Sequence, residues 1–293
     1  MKLARYLDDH VTRWGSVDVD EQTIRPIAGE FSGWAPIVTR HGADVVAWDG
    51  PPVPLKSVRL LAPLSPTSKV LGTGVNYTSH LVRPPGTDQH GEARELPPEI
   101  AMPKALPTFI KPMNAVVGPD DAIRVPGISN QFSHELELVV VMGSARVEDR
   151  EHGIDDVLGY TVGIDSSAYD VGRMPSLPTR PLVDLSAMKG LTRSSPIGPW
   201  ITTRDELGGS GQPQVQMVLR VNGEERQRDN TGDMLWDVNR CVGWMDERYS
   251  LTSGDVFFTG STGGVGEMTP GDLVECEIEG IGVLRNTVGP VEW

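Results

Sequence analysis

The run His134-Glu-Leu-Glu-Leu-Val-Val-Val-Met-Gly143 decides how this chain folds. Apart from its charged start it is apolar and rich in β-branched side chains, the composition of a largely buried strand. Side chains alternate along a strand, so Glu135 and Glu137 share one face and lie only a few ångströms apart. His134 points to the opposite face and reads as structural. Two ionised carboxylates that close repel each other, and beside a buried run they also lose hydration. A cation resolves both problems. Asp165 ends a second strand-like run, Leu158 to Ile164, and offers a third oxygen ligand. Three carboxylates without an obvious soft ligand suit Mg²⁺, Mn²⁺ or Ca²⁺ better than zinc. Unrelated carboxylates on a solvated strand edge stay open as the bland reading of these residues alone.

Short strand candidates surround that run. Lys2–Tyr6, Trp14–Val19, Gln22–Pro26 and Val45–Trp48 suit a small β-rich lobe, and the segment 60–68, with two prolines, reads as a linker. Lys69–Val75 and Thr108–Lys111 resume strand character around a polar insertion, 81–106, of the kind that forms lids or binding loops. Asn222-Gly223 fits a type I′ turn joining Val215–Val221 to Glu224–Asp229. Asp233–Tyr249 has helical spacing, with Met234, Val238, Cys241, Val242 and Met245 on one side, a stripe that reads as core packing. Asp255–Thr259, Leu273–Glu279 and Val283–Val288 are further strands, and 166–195 reads as irregular. With 33 Gly and 24 Pro, the composition favours a mainly β, α+β protein over a helical bundle. The expected division is a small N-terminal β-rich domain, 1–66, and a catalytic domain, 67–293.

A formal net charge of −14 argues against nucleic acid as a partner, and an anionic substrate needs local help from Lys, Arg or a metal. No apolar run approaches the roughly 20 residues that cross a bilayer, so no membrane role is expected. The opening Met1–His10 lacks the apolar core of a secretion signal, and two cysteines are too few for a disulfide framework. The expected compartment is the cytoplasm.

Several motifs then coincide in order. They are Gly74-Val-Asn-Tyr-Thr-Ser-His80, Phe109-Ile-Lys-Pro112, Glu135-Leu-Glu137 and Gly159-Tyr-Thr-Val-Gly-Ile-Asp165. Lys189 precedes Pro196-Ile-Gly-Pro-Trp200, and Val221-Asn-Gly-Glu224 follows. The last are Ser253-Gly-Asp-Val-Phe-Phe-Thr-Gly-Ser261, Gly264-Val-Gly266 and Gly271-Asp272. Over roughly residues 60 to 293 the chain resembles the fumarylacetoacetate hydrolase family, in particular its smaller acylpyruvase-like and 2-hydroxyhepta-2,4-diene-1,7-dioate isomerase-like members. The resemblance implies a mixed β-sandwich roll, a small N-terminal β lobe and a homodimer. It implies Mg²⁺ or Mn²⁺ held by Glu135, Glu137 and Asp165, and a small 2-oxo or 1,3-dicarbonyl acid as substrate. Hydrolysis of a C–C bond through a metal-stabilised enolate is the expected reaction.

Carried over by position, His80 is the general base and Lys189 stabilises negative charge on the substrate. Ser261, in a Thr259-Gly260-Ser261 loop, offers a hydroxyl to a substrate carboxylate, and Asn76 and Tyr77 form the floor. The glycine loop 260–266 lacks the Gly-Lys-Ser/Thr ending of a phosphate-binding loop. Three positions depart from the family pattern. Arg83 stands where a Glu orients the lid histidine, and Tyr169 and Gly172 stand where an Arg grips the substrate and a Gln follows. Arg173 or Arg180 are candidates to replace the Arg, and Glu92, Glu95, Glu99 or Glu267 the Glu. These departures favour a less anionic or differently shaped substrate and keep a decarboxylase, isomerase or other lyase open. A non-catalytic, metal-stabilised binding protein is the remaining alternative, and the carboxylate cluster argues against it.

Overall fold

The strand Leu136–Met142 runs through the middle of a 12-stranded sheet, antiparallel to Val157–Ile164 on one side and to Val256–Phe258 on the other. The computed structural model describes residues 1–82, 104–144, 152–174 and 182–292. Beyond Val256–Phe258 the sheet continues through Val70–Thr73 to Thr108–Lys111. Beyond Val157–Ile164 it continues through Ser195–Thr203 to Lys2–Asp8 and the N-terminal strands.

Both faces of the central strand are buried, as its composition predicts. Leu136, Leu138, Val140 and Met142 enter a core shared with Leu219, Val274, Cys276 and Leu284 of a second, five-stranded sheet. Val139 and Val141 point the other way, into a core with Phe31, Trp34 and Val38. The result is mostly β, with stacked sheets and peripheral helices. The turn at Asn222-Gly223 has positive φ at both residues (53° and 81°), as a type I′ hairpin needs, and joins Gln216–Val221 to Glu224–Asn230.

The structure corrects four sequence expectations. Val45–Trp48 is no strand: a 3₁₀ turn covers Ala43–Val45, and Trp48 makes an isolated bridge to Ile27. The supposed linker begins inside the strand Arg59–Leu61, which pairs with Lys2–Asp8. The helix expected from Asp233 begins at Val238, because the Asp237 carboxylate accepts from Arg240 N at 2.7 Å and caps it there. The irregular stretch 166–195 contains a short helix, Leu185–Lys189, capped by Asp184, whose carboxylate accepts from Ala187 N.

Two elements had no sequence signal that outweighed their prolines. The helix Phe31–His41 contains Pro36, yet buries Phe31, Trp34, Ala35 and Val38 on one side. Phe31 and Trp34 pack on Trp14 with ring centroids 4.9 and 5.5 Å away. The nine-residue strand Ser195–Thr203 contains Pro196 and Pro199. It joins the N-terminal strands to the rest of the sheet through Lys2↔Thr202 and Tyr160↔Thr202.

Candidate active site

The site forms where the central strand breaks. Phe132–His134 pairs into a small separate sheet, Leu136–Met142 into the large one, and Glu135 sits between them. The register Glu137↔Gly163 and the hydrogen bond from Asp165 N to Glu135 O (2.8 Å) bring the end of Val157–Ile164 beside this break. Glu135, Glu137 and Asp165 are all buried and offer carboxylate oxygens within 4.8 Å of one another.

Two buried lysines face them. Lys189 Nζ donates to Glu135 Oε2 at 3.0 Å and to Asp165 Oδ2. Lys111 Nζ lies 2.5 Å from Asp165 Oδ1 and donates to Lys189 O (2.7 Å) and Ser195 Oγ (2.8 Å). Lys111 thus makes two hydrogen bonds and an ion pair with Asp165.

Further contacts fix each carboxylate. Glu135 Oε1 accepts from Ser167 Oγ at 2.6 Å and from Tyr169 OH at 2.7 Å. Glu137 Oε2 accepts from Gly260 N at 2.6 Å. Gly260 has φ +100°, and a Cβ there would stand 2.6 Å from Asn76 Cβ and 2.7 Å from Gly74 O. Only glycine brings the N–H this close to Glu137.

Electrostatics separates the two glutamates. Burial alone would raise the Glu135 pKa, but Lys189, His80, Ser167 and Tyr169 outweigh it and hold it at about 2. Burial and then the charge of Asp165 push Glu137 well above the usual carboxylate range. Burial would depress the Lys189 ammonium, yet Asp165, Glu135 and Glu137 raise it above its ordinary value. Three carboxylates opposed by two ammonium groups leave one excess negative charge when all are ionised. An all-oxygen donor set with excess negative charge fits a hard divalent cation, which would relieve the strain on Glu137.

A cavity of about 220 Å³ opens onto this cluster, lined by Glu135, Lys189, His80, Tyr169 and Ser261 among others. His80, in the short helix Thr78–Val82, places Nδ1 3.2 Å from Thr262 O. A carbonyl only accepts, so Nδ1 carries the proton and Nε2 is left as an acceptor. Burial lowers the His80 pKa against the opposing influence of Glu135, which keeps the ring neutral and able to take a proton.

The other sequence candidates are placed as follows. Ser261 Oγ accepts from Gln227 Nε2 at 3.1 Å. Thr259 Oγ1 donates to Leu138 O at 2.9 Å, within the sheet. The Asn76 amide donates to Trp236 O and Thr259 O and accepts from Trp236 N. The Tyr77 hydroxyl faces Met217 Sδ at 3.7 Å. Asn76 and Tyr77 therefore brace the wall behind the cavity from the core side. Glu267 is exposed, in the short strand Gly266–Glu267. Arg83, Glu92, Glu95, Glu99, Arg180 and the Arg173 side chain lie outside the described residues.

Sequence reasoning passed over Lys111, Ser167 and Gln227. For Lys111 the signal was strand alternation, which puts it on the buried side with Phe109 while Ile110 is 53% exposed. Gln227 gave no signal, being one polar residue in a polar strand. It is nevertheless fully buried, with Oε1 accepting from His134 Nδ1 and Leu136 N and Nε2 donating to Ser261 and Thr262.

The model described as fumarylacetoacetate (FAA) hydrolase C-terminal matches residues 69–289. The chain belongs to the fumarylacetoacetate hydrolase family. A second model, Rv2993c-like, N-terminal, matches residues 1–63. Maleylpyruvate hydrolase of Aquipseudomonas alcaligenes is 31% identical, covering 99% of this chain and 100% of that protein. The crystal structure of 5-carboxymethyl-2-hydroxymuconate delta-isomerase from Mycobacterium smegmatis superposes with a TM-score of 0.77 at 31% identity, covering 99% of this chain and 100% of that one. Mitochondrial oxaloacetate tautomerase of Xenopus laevis is also 31% identical, over 79% of this chain and 69% of its own length. The protein is an enzyme of this family, its fold is the family's β-rich one, and no described helix is long and apolar enough to cross a membrane.

Against the family pattern, Tyr169 has a new partner, the Glu135 carboxylate. Gly172 explains itself sterically: a Cβ there would stand 2.6 Å from Met188 Cβ and 2.9 Å from Asp184 O. No side chain fits beneath the helix that carries Lys189.

Proposed function

We propose that this protein hydrolyses a C–C bond in an acylpyruvate-like 2-oxo acid, with Glu135, Glu137 and Asp165 holding Mg²⁺ or Mn²⁺. The observation that carries this reading is the convergence of His80, Lys189 and a metal-competent carboxylate on one cavity. A bound divalent cation would supply positive charge against the enolate that develops as the bond breaks. Lys189, fixed by two carboxylates, keeps an ammonium group on the cavity wall beside that developing charge. His80 accepts a proton from water at Nε2 while the Thr262 carbonyl holds the ring, and later returns it to the enolate carbon. Water adds across the bond, giving a 2-oxo acid and a carboxylic acid.

A second reading, enol–keto proton transfer, is supported by the neutral carbonyl on His80. A carbonyl partner suits a ring that passes a proton across a substrate, and the tautomerase and isomerase relatives are similar over most of the chain. Incubation of Mn²⁺-loaded protein with acylpyruvates, with products separated by chromatography, tests both. Two acids establish hydrolysis, an isomer of unchanged carbon skeleton establishes the second reading, and CO₂ release or no turnover across a broad panel overturns both. His80→Gln is expected to abolish the water-dependent step and spare Mn²⁺ binding. The same reading takes the protein as a cytoplasmic homodimer. Its two buried free cysteines suit a reducing compartment, and sedimentation tests the dimer.

A further inference from the structure

The loop that starts at Gly260 does more than hold Glu137. Two consecutive residues of it meet two consecutive residues of the helix Thr78–Val82. The Thr262 carbonyl lies 3.2 Å from His80 Nδ1, and Gly263 N donates to Ser79 Oγ at 2.9 Å. The approach is close: a Cβ on Gly263 would stand 2.7 Å from Ser79 O and 3.0 Å from Ser79 C. Glycine at 263 is what admits the helix here.

Ser79 is anchored in turn. Its hydroxyl donates to Asp229 Oδ2 at 2.5 Å, and Asn230 N donates to Asp229 Oδ1 at 2.9 Å. With Asp229 ionised, the direction of each bond is fixed. Gly263 N–H can only donate, so Ser79 Oγ accepts from it and directs its single proton at the carboxylate. A hydroxyl that donates to an ionised group is a stronger acceptor, so the chain from Gly263 through Ser79 to Asp229 is firmer than its separate links. Asp229 lies two residues from Gln227 in Glu224–Asn230, the end strand of the five-stranded sheet, so alternation points both toward the site. Gln227 grips Ser261 and Thr262, and Asp229 grips the helix that carries His80.

We propose that Ser79, anchored by Asp229, is a positioning residue for His80: it locks the helix to the loop and so holds the imidazole against the Thr262 carbonyl in its Nδ1-protonated form. This deepens the hydrolase reading, on which the role of His80 as base rests. Neither Ser79 nor Asp229 lines the cavity, so the pair acts through His80 and not on the substrate.

Histidine-selective ¹⁵N NMR on metal-free protein tests the proposal without a substrate, with the His80 signals assigned by their loss in His80→Gln. The wild type is expected to show a single, Nδ1-protonated tautomer for His80. Ser79→Ala should shift both ring signals toward the tautomer mixture of an unheld imidazole. Asp229→Ala should do the same, and the double variant should go no further than Ser79→Ala. Asp229→Asn keeps an acceptor for the Ser79 hydroxyl and should restore most of the wild-type spectrum. Arg228→Gln, at an exposed position of the same strand, should change nothing. With an acylpyruvate as substrate, Ser79→Ala should lower kcat about tenfold and leave KM within about twofold, since a displaced base slows proton transfer without loosening the substrate. Unchanged His80 signals in Ser79→Ala, effects that add in the double variant, or an unchanged kcat overturn the proposal alone. A wild type that turns over no acylpyruvate removes the hydrolase reading, and the NMR signals then decide whether the pair positions His80.

Discussion

Gln227 ties together the two segments that flank the site, so its replacement should damage stability and chemistry at once. Its Oε1 accepts from His134 Nδ1 and Leu136 N, both at 3.0 Å, on either side of Glu135. Its Nε2 donates to Ser261 Oγ at 3.1 Å and to Thr262 Oγ1 at 3.0 Å, beside the carbonyl that orients His80. Gln227→Met keeps the length and removes the whole set. Two N–H donors then lose their acceptor in a dry interior, at about 1–3 kcal/mol each, so roughly 4 kcal/mol is expected in total. At about 2 °C per kcal/mol for a chain of this size, the melting midpoint should fall by roughly 8 °C. Scanning calorimetry and urea titration measure this, with Arg226→Met on the exposed side of the same strand as a control expected to stay within about 0.5 kcal/mol. The kcat of the folded variant should fall as well, since Thr262 is no longer held. A midpoint within about 2 °C of wild type would refute the assignment of Gln227 as a brace.

Burial holds the His134 pKa at about 4, below its ordinary 6.5, so the unfolded chain binds the proton first as pH falls. Stability is full above about 6.5 and drains away toward pH 4, by roughly 3 kcal/mol; urea melts across this window should show it, and His134→Gln should flatten the slope. Lys111→Met removes one of two cations from the buried cluster and should cost about 3–5 kcal/mol of metal-free stability, while tightening Mn²⁺ binding in calorimetry because a repelling charge is gone; a variant as stable as wild type sinks the first part. Saturating Mn²⁺ at about 100 times its dissociation constant should stabilise the wild type by about 2.7 kcal/mol, EDTA should reverse this, and Glu137→Gln should show little response. An undiminished shift in Glu137→Gln would take Glu137 out of the metal site.

Local pattern made the strands around the site legible. The alternation of Leu136, Leu138 and Val140 against Val139 and Val141 is what the two cores separate, and the same alternation put Glu135 beside Glu137. Asn222-Gly223 announced its hairpin through backbone conformation alone. What stayed hidden depends on contacts distant in sequence. Ser195–Thr203 survives its prolines because Lys2–Asp8 and Val157–Ile164 pair with it on both sides. Phe31–His41 survives Pro36 because Trp14 receives its aromatic face. The orienting partner of His80 was sought among acidic side chains, and the structure supplies a main-chain carbonyl from residue 262. Every residue has that group, so no residue type marks it.

The net charge of −14 and the placement of the lysines bear on one another. An acidic surface repels anionic substrates, so attraction must be generated inside the cavity. Lys111 and Lys189 come from separate elements, Thr108–Lys111 and Leu185–Lys189, yet both end on Asp165. Two such cations let three carboxylates be buried without a metal, because a cluster with one excess charge folds far more readily than one with three. A third lysine would neutralise the cluster and leave a divalent cation little to bind. With two, the metal-loaded floor holds one surplus positive charge for the substrate carboxylate. Lysine number in this cluster is thus constrained from both sides, by folding without metal and by affinity for it.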